Sequence, residues 1–150
     1  MKIEHLYDHP DAVSELARWY VSQWGPYYGD NGPGNARADL EARLSLEELP
    51  VGLVALEGGR VLATAALGLD VATNLAPSII GLLVGQEHRG KGIGTALVEA
   101  CLDVAGNLGL RRVYISTSVL GDMLERTGWH KMGEAGFLND ERGSVYVRNL

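Results

Sequence analysis

Two periods of apolar and polar positions alternate along the chain, and each change of period marks an element. Lys2 to Tyr7 reads as a first strand. His9-Pro10-Asp11 is a turn signal, with Asp11 set to cap a helix. From Ala12 the apolar positions Val13, Leu16, Ala17, Tyr20 and Val21 recur at helical spacing. Gly25-Pro26 ends that helix, and the glycine-rich stretch from Tyr27 to Asn35 reads as a loop. Ala36 to Leu46 carries Leu40 and Leu44 on one face, a second short helix that Pro50 closes.

The period then shortens. Val51 to Leu56 and Val61 to Leu69 are aliphatic runs flanking Glu57-Gly58-Gly59-Arg60, the pattern of a tight hairpin. Asp70 to Pro77 reads as a connecting loop and Ser78 to Val84 as a buried strand. After a glycine-rich turn, Ile93, Leu97, Cys101, Val104 and Leu108 form the apolar stripe of a longer helix. Arg112 to Ser118 is another strand, and Val119 to Thr127 a short helix stopped by Gly128. Trp129 to Phe137 and Ser144 to Arg148 form a final hairpin. The order of elements predicts one domain over 1–150 with an α/β fold (α+β in some schemes). Its sheet is mixed but mostly antiparallel, with helices on both faces.

Composition narrows the function. The 150 residues carry a formal net charge of −6, which argues against a general nucleic-acid surface. No apolar run is long enough to span a bilayer, and Met1-Lys2-Ile3-Glu4-His5 is not a signal peptide, so neither a membrane partner nor export is expected. Cys101 is the only cysteine; no internal disulfide can form, which fits a cytoplasmic protein. His5, His9 and His130 are scattered and suggest no metal site.

The chemistry concentrates in Gln86-Glu87-His88-Arg89-Gly90-Lys91-Gly92-Ile93-Gly94-Thr95-Ala96-Leu97. A strand that ends in a basic, glycine-rich turn and then opens a helix is suited to hold an anion. The glycines allow close backbone approach, and the helix start presents unpaired N–H groups and the positive end of its dipole. A nucleotide P-loop fits Gly85, Gly90 and Lys91 but fails at Gly92, where a Ser or Thr should hold magnesium. The dinucleotide fingerprint fails as well, because its third glycine would fall at Thr95.

The same run, from Leu82 to Leu97, resembles the acyl-CoA-binding motif of the GNAT superfamily of N-acetyltransferases. Arg89, Gly92 and Gly94 meet the core pattern [Q/R]-x-x-G-x-[G/A], and the flanking strand and helix agree. Leu124-Glu125-Arg126-Thr127-Gly128-Trp129 resembles the family's Y-E-K-L-G-F segment. The resemblance implies acetyl-CoA as co-substrate and no metal. It implies a phosphate cradle of Arg89, Gly90, Lys91, Gly92, Ile93, Gly94 and Thr95, and pairing of Leu82, Leu83 and Val84 with the pantetheine arm. An N–H of that strand end, expected at Val84, would polarise the thioester carbonyl. Thr117 falls where the family often has an Asn that contacts pantetheine.

The reaction implied is direct attack of an amine on the thioester, which needs a base to take a proton. Asp70, at the end of an apolar strand, is the candidate. The family's general acid is the Tyr of Y-E-K-L-G-F, and here that place holds Leu124. Water, or a hydroxyl such as Ser116 or Ser118, is then left to protonate the thiolate; otherwise the chain is a non-catalytic acyl-CoA-binding or sensor module. Trp19, Tyr20, Trp24, Tyr27 and Tyr28 crowd the region that forms one wall of the acceptor site in the family, and Tyr27 and Tyr28 in the loop are candidates to touch the acceptor. A small-molecule amine is the expected acceptor; an antibiotic amine, a polyamine, an amino acid and a protein amine stay open, as does a homodimer.

Overall fold

A computed structural model describes residues 1–136 and 142–150. Among the described residues seven strands form one sheet: β1 (Lys2–His5), β2 (Val51–Glu57), β3 (Arg60–Asp70), β4 (Leu75–Val84), β5 (Arg112–Thr117), β6 (His130–Gly136) and β7 (Arg142–Asn149). Their spatial order is β1-β2-β3-β4-β5-β7-β6. Every neighbouring pair is antiparallel except β4 and β5, which run parallel. The helix α4 (Ile93–Asn107) makes the crossover between them, since parallel neighbours cannot be joined by a tight turn. The mixed, mostly antiparallel sheet expected from the pattern is thus the one observed.

Helices cover both faces. On one side Ile93, Leu97, Val98, Cys101 and Leu102 of α4, with Leu124 of α5 (Gly121–Arg126), pack on Ala63, Ala65, Leu67, Val113 and Ile115 of the sheet. On the other, Val13, Leu16 and Tyr20 of α1 (Val13–Gln23) and Ala36 and Leu40 of α3 (Ala36–Ala42) bury Val54, Leu56 and Leu83. Gly58 and Gly59, at φ +56° and +78°, make the two-residue turn between β2 and β3 that glycine permits at no steric cost.

Several boundaries differ from the pattern-based reading. β1 stops at His5, because Leu6 to Asp8 turn in a 3₁₀ helix that buries Leu6. Asp11 lies inside a second 3₁₀ turn, Pro10–Ala12, and Ala12 opens α1 with no side-chain cap. α1 ends at Gln23, just before Gly25-Pro26 as expected, but the pair also starts an element: proline sits in the first turn of a short helix, α2 (Gly25–Tyr28), where its missing N–H costs nothing. Leu75 to Pro77 belong to β4 and not to a loop. α3 ends at Ala42, with Arg43 turned into the core. α5 begins at Gly121, after a turn at Thr117. Phe137, the expected end of the sixth strand, lies outside the described residues.

Candidate acyl donor and acceptor site

The turn after β4 has the geometry of an open cradle. Gly85 N–H still donates to Leu62 O of β3 at 2.8 Å, then Gln86–His88 make one 3₁₀ turn. Gly90 and Gly92 adopt φ +77° and +81°, a left-handed conformation that L side chains resist. A Cβ built on either would meet no atom within 4 Å, so the space in front of this backbone is clear. Gly92 is the N-cap of α4 and supplies no side-chain cap, and the first turn holds no acidic residue. The first helical bond runs from Ala96 N–H to Gly92 O, so the N–H groups of Ile93, Gly94 and Thr95 have no partner within the helix.

Of the expected cradle side chains, Ile93 is buried in the core and can offer only its backbone. Lys91 is exposed beside the turn. Arg89 folds back: its Nε donates to Val84 O at 3.0 Å and its Nη2 to Gln23 Oε1 at 3.2 Å, tying the turn to α1. These contacts floor an open cleft of about 980 Å³ lined by Trp19, Gln23, Arg60, Val84, Gly85 and Arg89.

β4 and β5 share ladder positions only at Ser78/Tyr114 and Ile79/Ile115. Beyond Ile79 the two strands part. β4 also bulges there: Ile80 faces Ala66 and Leu83 faces Thr64, so Gly81 and Leu82 together oppose Ala65. Gly81 takes φ +60°. The Val84 carbonyl is anti to the Gly85 N–H that points at β3, and so faces away from β3, where it meets Arg89. In an extended strand the N–H of the same residue points the same way, so Val84 N–H is directed off the β3 side as well.

Asp70 ends β3, as expected, and its two carboxylate oxygens are both engaged. Oδ1 accepts from Ala72 N–H at 3.0 Å, and Oδ2 accepts from Ser116 Oγ at 3.1 Å. Two residues named separately on chemical grounds therefore meet, although 46 positions apart. Thr117 Oγ1 accepts from Val119 N–H and Leu120 N–H, each at 3.1 Å, and so shapes the turn into α5. Its hydroxyl keeps one proton to donate. Leu124 is fully buried among Leu97, Val98 and Val113, on the core side of α5.

The aromatic residues divide. Tyr20 and Tyr28 are buried and stacked, 5.6 Å between centroids, with Trp24 and Tyr27 edge-on to them at 5.1 and 4.7 Å. Tyr28 donates its hydroxyl to Asp39 Oδ2 at 2.8 Å; burial, and then Asp39, push its pKa well above the ordinary tyrosine value. Tyr27 and Tyr28 are therefore elements of an aromatic core, and only Trp19 faces the cleft beside the turn.

Behind the bulge sits a polar chain that the sequence did not announce. Arg43 Nη1 donates to Tyr20 Oη at 2.6 Å, and Tyr20 Oη donates to Gly81 O at 2.6 Å. Both side chains are buried, Tyr20 at 0% and Arg43 at 6% exposure. Burial opposes the charge on Arg43, but Tyr20, Tyr28 and Asp39 outweigh it and the guanidinium stays protonated. Burial likewise raises the Tyr20 pKa. The one available signal was Gly81 itself, a lone glycine inside an apolar strand, which marks a bulge or a close approach. Among the described residues no group of three or more His, Cys, Asp or Glu could hold a metal ion, and no helix is long and apolar enough to cross a membrane.

Comparison with known proteins agrees with this geometry. A family profile described as "Acetyltransferase (GNAT) family" matches residues 13–131. The probable N-acetyltransferase YjcK of Bacillus subtilis (strain 168) is 31% identical over 115 residues, which cover 73% of this chain and 64% of that relative. This chain thus spans less than two thirds of that relative's length. Among solved structures, an aminoglycoside 6'-N-acetyltransferase complexed with coenzyme A aligns over 99% of this chain and 97% of its own, with TM-score 0.76 and 14% identity. The ribosomal-protein-alanine N-acetyltransferase from Brucella melitensis aligns over 100% of both chains, with TM-score 0.74 and 18% identity.

Proposed function

Because the chain belongs to the acetyltransferase (GNAT) family, we propose that it takes acetyl-CoA as donor and passes the acetyl group to a primary amine. The observation that carries the reading is the uncapped start of α4 behind two open left-handed glycines, Gly90 and Gly92. A pyrophosphate fits there because it accepts the three N–H groups that the helix leaves unpaired and meets no side chain in front of the glycines. Arg89 and Lys91 flank it, and Gly94 and Thr95 offer backbone from the first turn of the helix. The stretch Leu82, Leu83 and Val84, where β4 has left β5, would pair with the pantetheine arm, Val84 through its N–H because Arg89 holds its carbonyl, and Thr117 at the end of β5 would contribute its hydroxyl.

Asp70 then takes the proton of the attacking amine. The amine nitrogen bonds to the thioester carbon, the carbon–sulfur bond breaks, and the electron pair leaves on sulfur. Ser116, hydrogen-bonded to Asp70, gives a proton to the thiolate and regains one from the Asp70 carboxyl, so the proton lost by nitrogen ends on sulfur. A hydroxyl in this role replaces the tyrosine that Leu124 cannot supply. The acceptor class is not chosen by the fold, since neighbours named for aminoglycosides and for a ribosomal protein align equally well.

The buried Leu124 favours one competing reading, an acyl-CoA-binding module without turnover. Incubation with acetyl-CoA and a panel of amines, with free thiol as the readout, separates the two. Thiol release that requires an amine supports transfer. Tight acetyl-CoA binding with no release for any amine supports the binding module, and preference for ATP with magnesium over coenzyme A overturns both.

A further inference from the structure

We propose that Tyr20 and Arg43 are a positioning pair that polarises the Gly81–Leu82 peptide and makes the Leu82 N–H the hydrogen-bond donor to the thioester carbonyl. The proposal rests on the acetyl-CoA reading above and assigns it two buried residues outside the motif.

The geometry is a chain of donors. Arg43 donates to the Tyr20 hydroxyl, and that hydroxyl donates to the Gly81 carbonyl, each over 2.6 Å. Gly81 C=O and Leu82 N–H belong to one planar peptide group, trans, so the N–H points directly away from Tyr20. Tyr20 packs in the α1 layer, whereas the Leu82 side chain packs against the α4 layer. This peptide also stands outside both ladders: neither Gly81 nor Leu82 has a register partner on β3, and pairing with β5 has already ended at Ile79. It is therefore a fixed dipole, held at its oxygen end by Tyr20, with its N–H end turned away from α1 at the level where β4 and β5 have parted. A cation at the head of such a chain draws electron density through the hydroxyl and the carbonyl, and each bond strengthens the next.

Position along the strand agrees. Val84 adjoins Gly85 at the rim of the cradle. The pantetheine arm carries two amides between phosphate and sulfur, so a thioester anchored at the turn lies deeper along β4, beside the bulge. Val84 then pairs with the arm, and Leu82 meets the carbonyl.

The buried charge supports an electrostatic role. Among the described residues Arg43 has no carboxylate partner in any ion pair, and Asp39 nearby is taken by Tyr28. Apolar residues commonly fill such a place at no loss of stability, so packing alone does not call for a guanidinium. The space is also exclusive: a Cβ on Gly81 would lie 2.3 Å from Tyr20 Oη and 2.6 Å from Arg43 Nη1.

Three variants test the pair: Tyr20→Phe, Arg43→Gln and the charge-preserving Arg43→Lys, each used only if its melting is cooperative. In the protein without ligand, the Leu82 amide proton resonance should move upfield in Tyr20→Phe and Arg43→Gln and return towards wild type in Arg43→Lys. With acetyl-CoA carrying a ¹³C carbonyl, the infrared carbonyl band should fall in frequency on binding wild type and recover towards the free value in the first two variants. Turnover should drop about ten- to a hundredfold, less than for outright loss of an oxyanion donor, while the KM for acetyl-CoA and the Kd for coenzyme A, which has no carbonyl, stay within about twofold. A bound carbonyl band and a Leu82 resonance unchanged in both Tyr20→Phe and Arg43→Gln would overturn the pair and leave the acetyl-CoA reading standing. Failure of wild type to bind acetyl-CoA overturns the reading itself, and the pair with it.

Discussion

Replacing Tyr20 with Phe should destabilise the fold sharply, and a second substitution at Arg43 should partly restore it. The hydroxyl of Tyr20 serves two buried partners, the Gly81 carbonyl and the Arg43 guanidinium. Phenylalanine fills the same ring site among Trp24 and Tyr28, so packing changes little. The loss is polar. An unsatisfied buried carbonyl costs about 1–3 kcal/mol, and stripping the partner from a buried cation costs about 3–5 kcal/mol. Gly81 is only partly buried, and the two terms overlap in one hydroxyl, so the total expected is about 4 kcal/mol. Against a typical stability of about 5–15 kcal/mol this is a large fraction.

Arg43→Met behaves differently. Methionine keeps much of the length, removes the charge, and leaves the Tyr20–Gly81 bond in place. Its expected effect is within about 1 kcal/mol of wild type, because discarding a poorly compensated buried cation offsets the lost bond. In the Tyr20→Phe background the same substitution removes an orphaned charge and should return about 2 kcal/mol. Urea unfolding followed by far-ultraviolet circular dichroism reads the cycle. With a slope near 2 kcal/mol/M, Tyr20→Phe should lower the midpoint by about 2 M and the double variant by about 1 M. If Arg43→Met costs as much in the Tyr20→Phe background as in wild type, the guanidinium does not depend on that hydroxyl and the reasoning fails.

Gly92→Glu should abolish coenzyme A binding by calorimetry while the fold survives, since the side chain meets open space and the left-handed backbone costs about 1–2 kcal/mol; affinity within twofold of wild type would remove the pyrophosphate from this turn. Asp70→Asn should cut kcat by about 10²–10⁴ with unchanged coenzyme A affinity, and unimpaired turnover would take the base away from Asp70. Leu124→Tyr should add no activity and should cost about 2 kcal/mol or more in a thermal melt, because the position is fully buried; a faster enzyme would mean that the residue faces the reacting thioester. Cys101 should resist Ellman's reagent at pH 8 until urea is added, because burial alone lifts its pKa from 9.0 to about 12. The folded thiol keeps its proton where the unfolded one has lost it, so its contribution to stability is complete below about pH 9 and is lost as the pH rises towards 12.

What the sequence disclosed was local, and what it concealed was long-range. The cradle is a contiguous run whose glycines, helix stripe and preceding strand follow one another along the chain, and the same holds for the Gly58-Gly59 hairpin. Gly25-Pro26 reads as a stop, and α1 does end just before it; that the pair also starts α2 depends on the packing of Tyr28 on Tyr20. The contact of Asp70 with Ser116 and the chain from Arg43 to Gly81 join segments dozens of residues apart, and no periodicity encodes such meetings.

That division has a physical consequence for the site. In the proposed site, backbone N–H groups would bind the donor, and they are available wherever glycine opens the chain. Aiming one peptide at a developing charge takes side chains from outside the motif, because a peptide in a bulge has no ladder to fix its direction. On the proposed reading, the parts that would hold acetyl-CoA and the parts that would tune its thioester therefore belong to different stretches of sequence. A substitution at Tyr20 or Arg43 should then alter the rate while every residue of the motif stays in place.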